Sequence, residues 1–355
     1  MGRRVLGRPA IVLAATAAAM VTTLVPGTAR AENTDPITAN RALLARPVAP
    51  DGSRIVDFTI QDDRHLTLSV YSAAMDRPIT VTVQRPADAS VPRPTLYLLS
   101  GADGGEGTAN WDHRTPQALE FLAAHNVNVI QPIGGRFSYY TDWQAPDPVL
   151  GLHKWRTFFT EELPPLIDGA LGTTGLNAIA GLSTSGTSVL QLPIAAPGLF
   201  RAAAAYSGCA QISDLTGYSF VNVAVGGWGG GNTDNMYGPF GDPMWAANDP
   251  YVNAEKLRGV ELFISSGNGL PGPYETLNGP FTLPGIDGLA NQVIIGGVIE
   301  AAVNYCSHNM QAKLNSLGIP ATYDFPPTGT HSWGYWLDAL KASWPVLARG
   351  MELPA

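Results

Sequence analysis

The stretch Gly181-Leu182-Ser183-Thr184-Ser185-Gly186 constrains the fold of this chain more tightly than any other. Before it, Leu176-Asn177-Ala178-Ile179-Ala180 is short and apolar enough for a buried strand. After it, Thr187 to Ala196 reads as a helix that ends before Pro197-Gly198. Strand, tight turn, serine and helix in that order make a nucleophile elbow. The turn pushes the serine Oγ outward and aims the N–H groups of the helix start at a developing oxyanion. Ser185 stands where the usual G-x-S-x-G pattern has its second glycine, and a small residue suffices there. An ordinary Ser/Gly-rich turn shares this pattern, so the reading depends on partners elsewhere in the chain.

A serine nucleophile in this setting needs a carboxylate and then a histidine downstream. Only two of the six histidines follow Ser183. His308 sits in a helix-like segment, Val293 to Leu317, and reads as a surface residue. His331 lies in Pro326-Pro327-Thr328-Gly329-Thr330-His331-Ser332-Trp333, a loop between the strand-like Ala321 to Phe325 and a final helix, Tyr335 to Leu347. A loop at the carboxyl end of a late strand is where an α/β-hydrolase places its general base. The carboxylate, which holds the imidazole in one tautomer and stabilises the imidazolium, has three candidates: Asp287, Glu300 and Glu275. A charge flanked by apolar residues is costly unless paired, and Glu300 in Gly297-Val298-Ile299-Glu300-Ala301-Ala302-Val303 fits that description best. A solvent-facing helix position explains it equally on composition alone.

The chain opens on Met1-Gly2-Arg3-Arg4, runs through the apolar Ala10 to Val25 and reaches Ala29-Arg30-Ala31. A basic start, a short apolar core and an A-x-A site describe a secretory signal peptide cut after Ala31. The apolar run is short for a membrane span, and no later stretch reads as one, so the expected mature chain is exported without a transmembrane segment. Removing residues 1 to 31 takes four arginines and no acids, which moves the formal charge from −8 to −12, 17 basic residues against 29 acidic ones. Nucleic acid and anionic surfaces need clustered Lys/Arg and are excluded as partners on that ground. Charged residues are only 14% of the chain while 39 glycines and 29 prolines punctuate it, which suits a loop-rich secreted enzyme.

Residues 32 to 55, rich in Pro and Ala, read as an extended arm ahead of a domain over 56 to 355. His65 to Tyr71 and Ile79 to Gln84 alternate as an antiparallel pair. Apolar strands then alternate with helices: Thr95 to Leu99, Pro116 to His125, Val127 to Gln131, Trp155 to Leu171, the elbow, Ala202 to Ser207, Val260 to Ser265 and Ala321 to Phe325. That alternation predicts an α/β-hydrolase fold, a mostly parallel sheet with helices on both faces. Two insertions, Gln211 to Asn253 and Asn268 to Asp287, read either as walls of a substrate cleft or as surface loops without a direct role. Leu99-Ser100-Gly101-Ala102-Asp103-Gly104-Gly105 follows an early strand, where this fold places its second oxyanion donor, so the hole falls to the backbone N–H groups of Ala102 and Thr184. Cys209 and Cys306, the only cysteines, suggest a disulfide in an exported protein, with two separate thiols as the alternative. The chemistry needs no metal and no cofactor: there is no C-x-x-C, no paired-histidine spacing and no phosphate-binding loop.

From about Ile79 onward the chain resembles the antigen 85 mycolyltransferases of mycolic-acid-bearing actinobacteria. The resemblance is carried by Leu98-Leu99-Ser100-Gly101, Gly134-Gly135 with Tyr140-Thr141-Asp142-Trp143, Gly181-Leu182-Ser183, Asn248-Asp249-Pro250, Gly267-Asn268-Gly269 and Phe325 to Trp333. It implies that the catalytic glutamate is Glu300, with Asp287 and Glu275 as runners-up. It also implies a substrate: a mycoloyl group taken from trehalose monomycolate onto Ser183 and passed to a second trehalose monomycolate or to cell-wall arabinogalactan. Trp333, beside His331, is then a candidate sugar platform, and core packing is its other reading. Better-known members carry aspartate at the position of Ser100 and arginine at that of Asp103, where the side chains help hold trehalose, and a cysteine at that of Ser266. The departures leave acyl transfer in place and open the identity of the acceptor, which could also be arabinan or a protein hydroxyl. Two rival readings share the fold: a secreted esterase that releases its acyl group to water, and a non-catalytic wall-binding protein.

Overall fold

The structure, a computed structural model, describes residues 47–354. The expected signal peptide and the arm up to residue 46 lie outside the described residues. Nine strands form one sheet: β1 (Arg54–Ile60), β2 (His65–Ser72), β3 (Arg77–Gln84), β4 (Thr95–Leu99), β5 (Asn128–Ile133), β6 (Asn177–Leu182), β7 (Phe200–Tyr206), β8 (Glu261–Ser265) and β9 (Thr322–Asp324). Their spatial order is β1-β2-β3-β5-β4-β6-β7-β8-β9. The first four in that order pair antiparallel, and from β5 to β9 every pairing is parallel.

The strand sequences explain both halves. In β2 the inward residues Leu66, Leu68 and Val70 alternate with more exposed ones, as a sheet with one wet face requires. In β4 and β6 every residue is buried, because helices cover both faces. Period-2 alternation then splits each central strand between two cores. Tyr97, Leu99, Ile179, Ala203 and Ala205 join the core on one face; Leu96, Leu98, Ala178, Ala180, Ala202 and Ala204 join the core on the other. The expected extended arm is corrected at its end, since β1 begins at Arg54 and adds a third antiparallel strand. A register irregularity between Ile55 and Asp57 breaks its alternation, which is why its sequence does not read as a strand.

The helices that matter for the site are α1 (Pro116–Ala123), α2 (Leu163–Leu171), α3 (Thr184–Ala195), α4 (Leu215–Asn222), α5 (Gly297–Ser316) and α6 (Trp333–Gly350). A π-helical turn, Phe158–Glu162, leads into α2, and another, Gln292–Gly296, joins Gly285–Asn291 to α5. The run Gly285–Ser316 is therefore 32 residues of continuous helix, long and apolar enough to cross a membrane by length and composition. The expectation that no later stretch qualifies is corrected on that criterion. Several of its outward residues are Ile and Val, while its inner face carries the buried Glu300 and Cys306. The insertion 211–253 is folded rather than loose: Ile212, Val221, Val225, Met236, Tyr237 and Trp245 pack with Tyr139 and Trp143 in a third apolar cluster.

Helix α3 lies unusually close to the turn after β7. A Cβ on Gly208 would sit 2.3 Å from the Gly186 carbonyl carbon, and one on Gly186 would sit 2.8 Å from the Gly208 Cα. Backbone meets backbone there, so a methyl group must push α3 off the sheet. Gly208→Ala is expected to cost about 1–3 kcal/mol by overpacking, read as a lowered urea midpoint with an unchanged slope.

Candidate active site

Four parallel strands deliver the site residues at their carboxyl ends, where open α/β sheets bind ligands. Ser183 follows β6, Ser207 follows β7, Gly267 follows β8 and His331 lies on the loop after β9. Ser183 is held at φ 57°, ψ −125°, in the left-handed half of backbone space that a β-carbon disfavours. Three bonds fix that turn. The Ser183 N–H donates to the Tyr206 carbonyl at 2.9 Å, the Gly186 N–H donates to the Ser183 carbonyl at 2.9 Å, and Ser185 Oγ donates to the Leu182 carbonyl at 2.9 Å. The residue that departs from the glycine pattern is thus buried and turned back onto the strand it follows.

His331 Nε2 lies 2.9 Å from Ser183 Oγ and its Nδ1 lies 2.7 Å from Glu300 Oε2. The Glu300 carboxylate is 1% exposed, and its other oxygen accepts from Ser207 Oγ and from the Gly267 N–H, each at 2.7 Å. Trp336, one turn into α6, donates Nε1–H to Ser207 Oγ at 3.0 Å and stands edge-on to the His331 ring. Ser207, Gly267 and Trp336 were not legible as site residues. A Ser-Gly-Cys after a strand and a tryptophan three residues past another carry no signal of what they face.

The other carboxylates lie elsewhere. Asp287 is exposed on the helix Gly285–Asn291. Glu275 accepts from the Gly272 N–H, Gln292 Nε2, Thr330 Oγ1 and Tyr335 OH. Burial pushes its carboxyl up, but the bonds from Thr330, Tyr335, Gly272 and Gln292 outweigh that and hold it below the usual glutamate value. Glu275 therefore ties the loop before His331 to the π turn before α5. His308 is exposed and stacks on Phe325.

The N–H groups of Ala102 and of Thr184, the first residue of α3, donate to no backbone carbonyl among the described residues. Ser100 is buried at 3%, and Asp103 is exposed, its carbonyl accepting from the Glu106 N–H at 3.1 Å and its carboxylate making no ion pair among the described residues. Trp333 is 8% exposed and wedged edge-on between Trp111 and Trp336, at 5.5 and 5.2 Å between ring centres. It belongs to the core beneath α6, a setting that leaves little of its face for stacking a sugar. Cys209 and Cys306 form a disulfide, with Cα atoms 5.1 Å apart.

An apolar cavity of about 380 Å³ opens beside Ser183 and His331. One side is lined by Phe220, Val223 and Trp228 from the insertion, the other by Ile295, Val298 and Ile299 from the run that carries Glu300. The insertion is thus a cleft wall. Val223, Trp228 and Val298 are each at least half exposed, at 50%, 53% and 68%, so the lips of the cavity are apolar as well as its lining.

A mostly parallel nine-stranded sheet, with a strained serine at the end of its central strand and helices on both faces, defines an α/β-hydrolase of the esterase type. The family model "Esterase" matches residues 72–346. Over 292 residues the chain is 34% identical to the diacylglycerol acyltransferase/mycolyltransferase Ag85A of Mycobacterium tuberculosis (strain ATCC 25618 / H37Rv), covering 80% of each chain. To Ag85B of Mycobacterium avium it is 34% identical over 288 residues, 79% of this chain and 81% of that one. Among solved structures it is similar to Mycobacterium tuberculosis MPT51 (FbpC1), with a TM-score of 0.66 at 25% identity over 81% of this chain and 98% of that one. It shares its fold with an S-formylglutathione hydrolase from Agrobacterium tumefaciens, with a TM-score of 0.59 at 16% identity over 84% and 99% of the two chains. The chain belongs to the antigen 85 mycolyltransferase family.

The Glu275 hub makes a pH-dependent contribution. A carboxyl held below its ordinary value stabilises the fold above that value, and the contribution is lost as pH falls through the lowered one. Glu275→Gln is therefore expected to be less stable than the parent at pH 7 and to converge on it as pH falls below about 4. Urea titrations at both pH values check this.

Proposed function

We propose that this protein is a serine-dependent acyltransferase that carries a mycoloyl group from trehalose monomycolate to a second trehalose monomycolate or to arabinogalactan. The observation that carries the reading is the Ser183–His331 contact of 2.9 Å at the edge of a 380 Å³ apolar cavity, which pairs an activated hydroxyl with room for an alkyl chain. The names of the relatives, acyltransferases and mycolyltransferases, support the acyl class. Residues 56–355 are taken as the catalytic domain and residues 1–31 as a secretion signal that makes the protein extracellular or envelope-bound.

In this reading Ser183 Oγ attacks the ester carbonyl while His331 Nε2 takes its proton. Glu300 keeps the opposite nitrogen protonated and stabilises the imidazolium. The N–H groups of Ala102 and Thr184 receive the oxyanion, and neither gives up a backbone acceptor among the described residues to do so. The leaving trehalose takes the proton from His331 and the acyl group remains on Ser183. An acceptor hydroxyl then reverses the steps, and transfer exceeds hydrolysis when that hydroxyl occupies the site better than water does.

With trehalose monomycolate as the only substrate, the purified protein is expected to make trehalose dimycolate, and Ser183→Ala to lose on the order of 10³-fold or more. Chromatography that separates dimycolate from free mycolic acid reads the result. Free acid alone points to an esterase, and no product dependent on Ser183 sinks the catalytic reading. Glu300→Gln cannot stabilise the imidazolium as a charge does. Its kcat is expected to fall at least about 10²-fold with the fold retained, measured with a soluble chromogenic ester and circular dichroism.

A further inference from the structure

A second cavity, of about 310 Å³, shares His331, Ile295 and Ile299 with the apolar one but differs in chemistry. Its distinct lining includes Arg114, Asn291, Gln292, Ser332, Trp333 and Trp336, and no Asp or Glu lines it. Arg114 ends the short helix Trp111–Arg114 and is partly exposed. Among the described residues its guanidinium makes no ion pair and no hydrogen bond; the acids nearby on adjoining segments, Asp112 and Asp287, are exposed and form no ion pair with it. Ser332, next to His331, is 5% exposed and its buried Oγ has no partner. An unpaired cation therefore lines a polar cavity beside the general base, in a chain whose formal charge is −8.

A guanidinium presents a planar fork of donors that matches carboxylate and phosphate oxygens. We propose that this cavity receives the acyl acceptor and that Arg114 sets its specificity, favouring a hydroxyl compound that carries a phosphate or carboxylate over its neutral counterpart. The proposal rests on the acyl-enzyme reading above and extends its acceptors beyond the neutral sugars named there. The acceptor oxygen attacks the carbonyl carbon of the Ser183 ester and its proton passes to His331 Nε2. The bond from the carbonyl carbon to Ser183 Oγ breaks, and Ser183 recovers the proton from His331. Arg114 takes no part in these transfers: it anchors the anion.

The test is a competition in one tube. p-Nitrophenyl octanoate serves as donor, glucose 6-phosphate and glucose at equal concentration as acceptors, and mass spectrometry gives the ratio of the two acylated sugars. The parent is expected to favour the phosphorylated sugar by about ten-fold or more, the discrimination of one charge-assisted contact. Arg114→Gln should bring the ratio near one, and Arg114→Lys should retain part of the preference. A ratio near one in the parent, or an unchanged ratio in Arg114→Gln, overturns the proposal, as does p-nitrophenol release without acylation of either sugar. Loss of Ser183-dependent p-nitrophenol release would instead strike the acyl-enzyme reading itself, so the two failures are distinguishable.

Discussion

A carboxylate taken out of water costs several kcal/mol unless it is paired and hydrogen-bonded, and Glu300 meets that requirement with donors from three separate loops. Ser207 comes from the end of β7, Gly267 from the end of β8 and His331 from the loop after β9. One buried oxygen pair thus fixes where three strand ends stand relative to α5. The same bonds set the direction of the imidazole, since the Glu300 contact at Nδ1 leaves Nε2 facing Ser183. A conformation that lost any one donor would leave charge buried without a partner, so site geometry and local stability are coupled.

The supports around Glu300 act on both flanks of its helix. On the carboxyl side, the disulfide at Cys306 holds α5 to the turn after β7 across a sequence separation of 97; in the chain-entropy view a closure of that length is worth about 4–5 kcal/mol. On the amino side, the His331 N–H donates to the Gly296 carbonyl, and Glu275 links Thr330 to Gln292. The serine has its own frame, because α3 can approach the sheet only where Gly186 meets Gly208. Ser183 and His331 are therefore positioned by different contacts that converge only at the bond between them.

Much of this was legible in the chain. The elbow could be read because a strand, a small-residue turn and a helix must follow one another within a few residues. The parallel strands could be read because double-sided burial leaves runs such as Asn177–Leu182 without polar interruption. Glu300 could be singled out from its apolar flanks but not separated from Asp287 and Glu275 without the family resemblance, since burial is a tertiary property. Ser207 and Trp336 escaped notice for the same reason: neither has a local pattern, and their role exists only where β7 and α6 meet. Trp333 shows the converse, an aromatic beside His331 whose neighbours Trp111 and Trp336 place it in the core. Of the helical run Gly285–Ser316, the part from Val293 onward was legible as helix, and the turns before it escaped because glycines break their sequence pattern while π geometry carries the backbone through.

The central claim is that Ser183 is a nucleophile activated by His331, and labelling with a fluorophosphonate followed by peptide mass mapping tests it most directly. The account predicts one adduct per chain, on Ser183, formed much more slowly when His331 is replaced by alanine in a protein that remains folded. Stoichiometric labelling at another residue, or labelling of Ser183 at the same rate without His331, would contradict it.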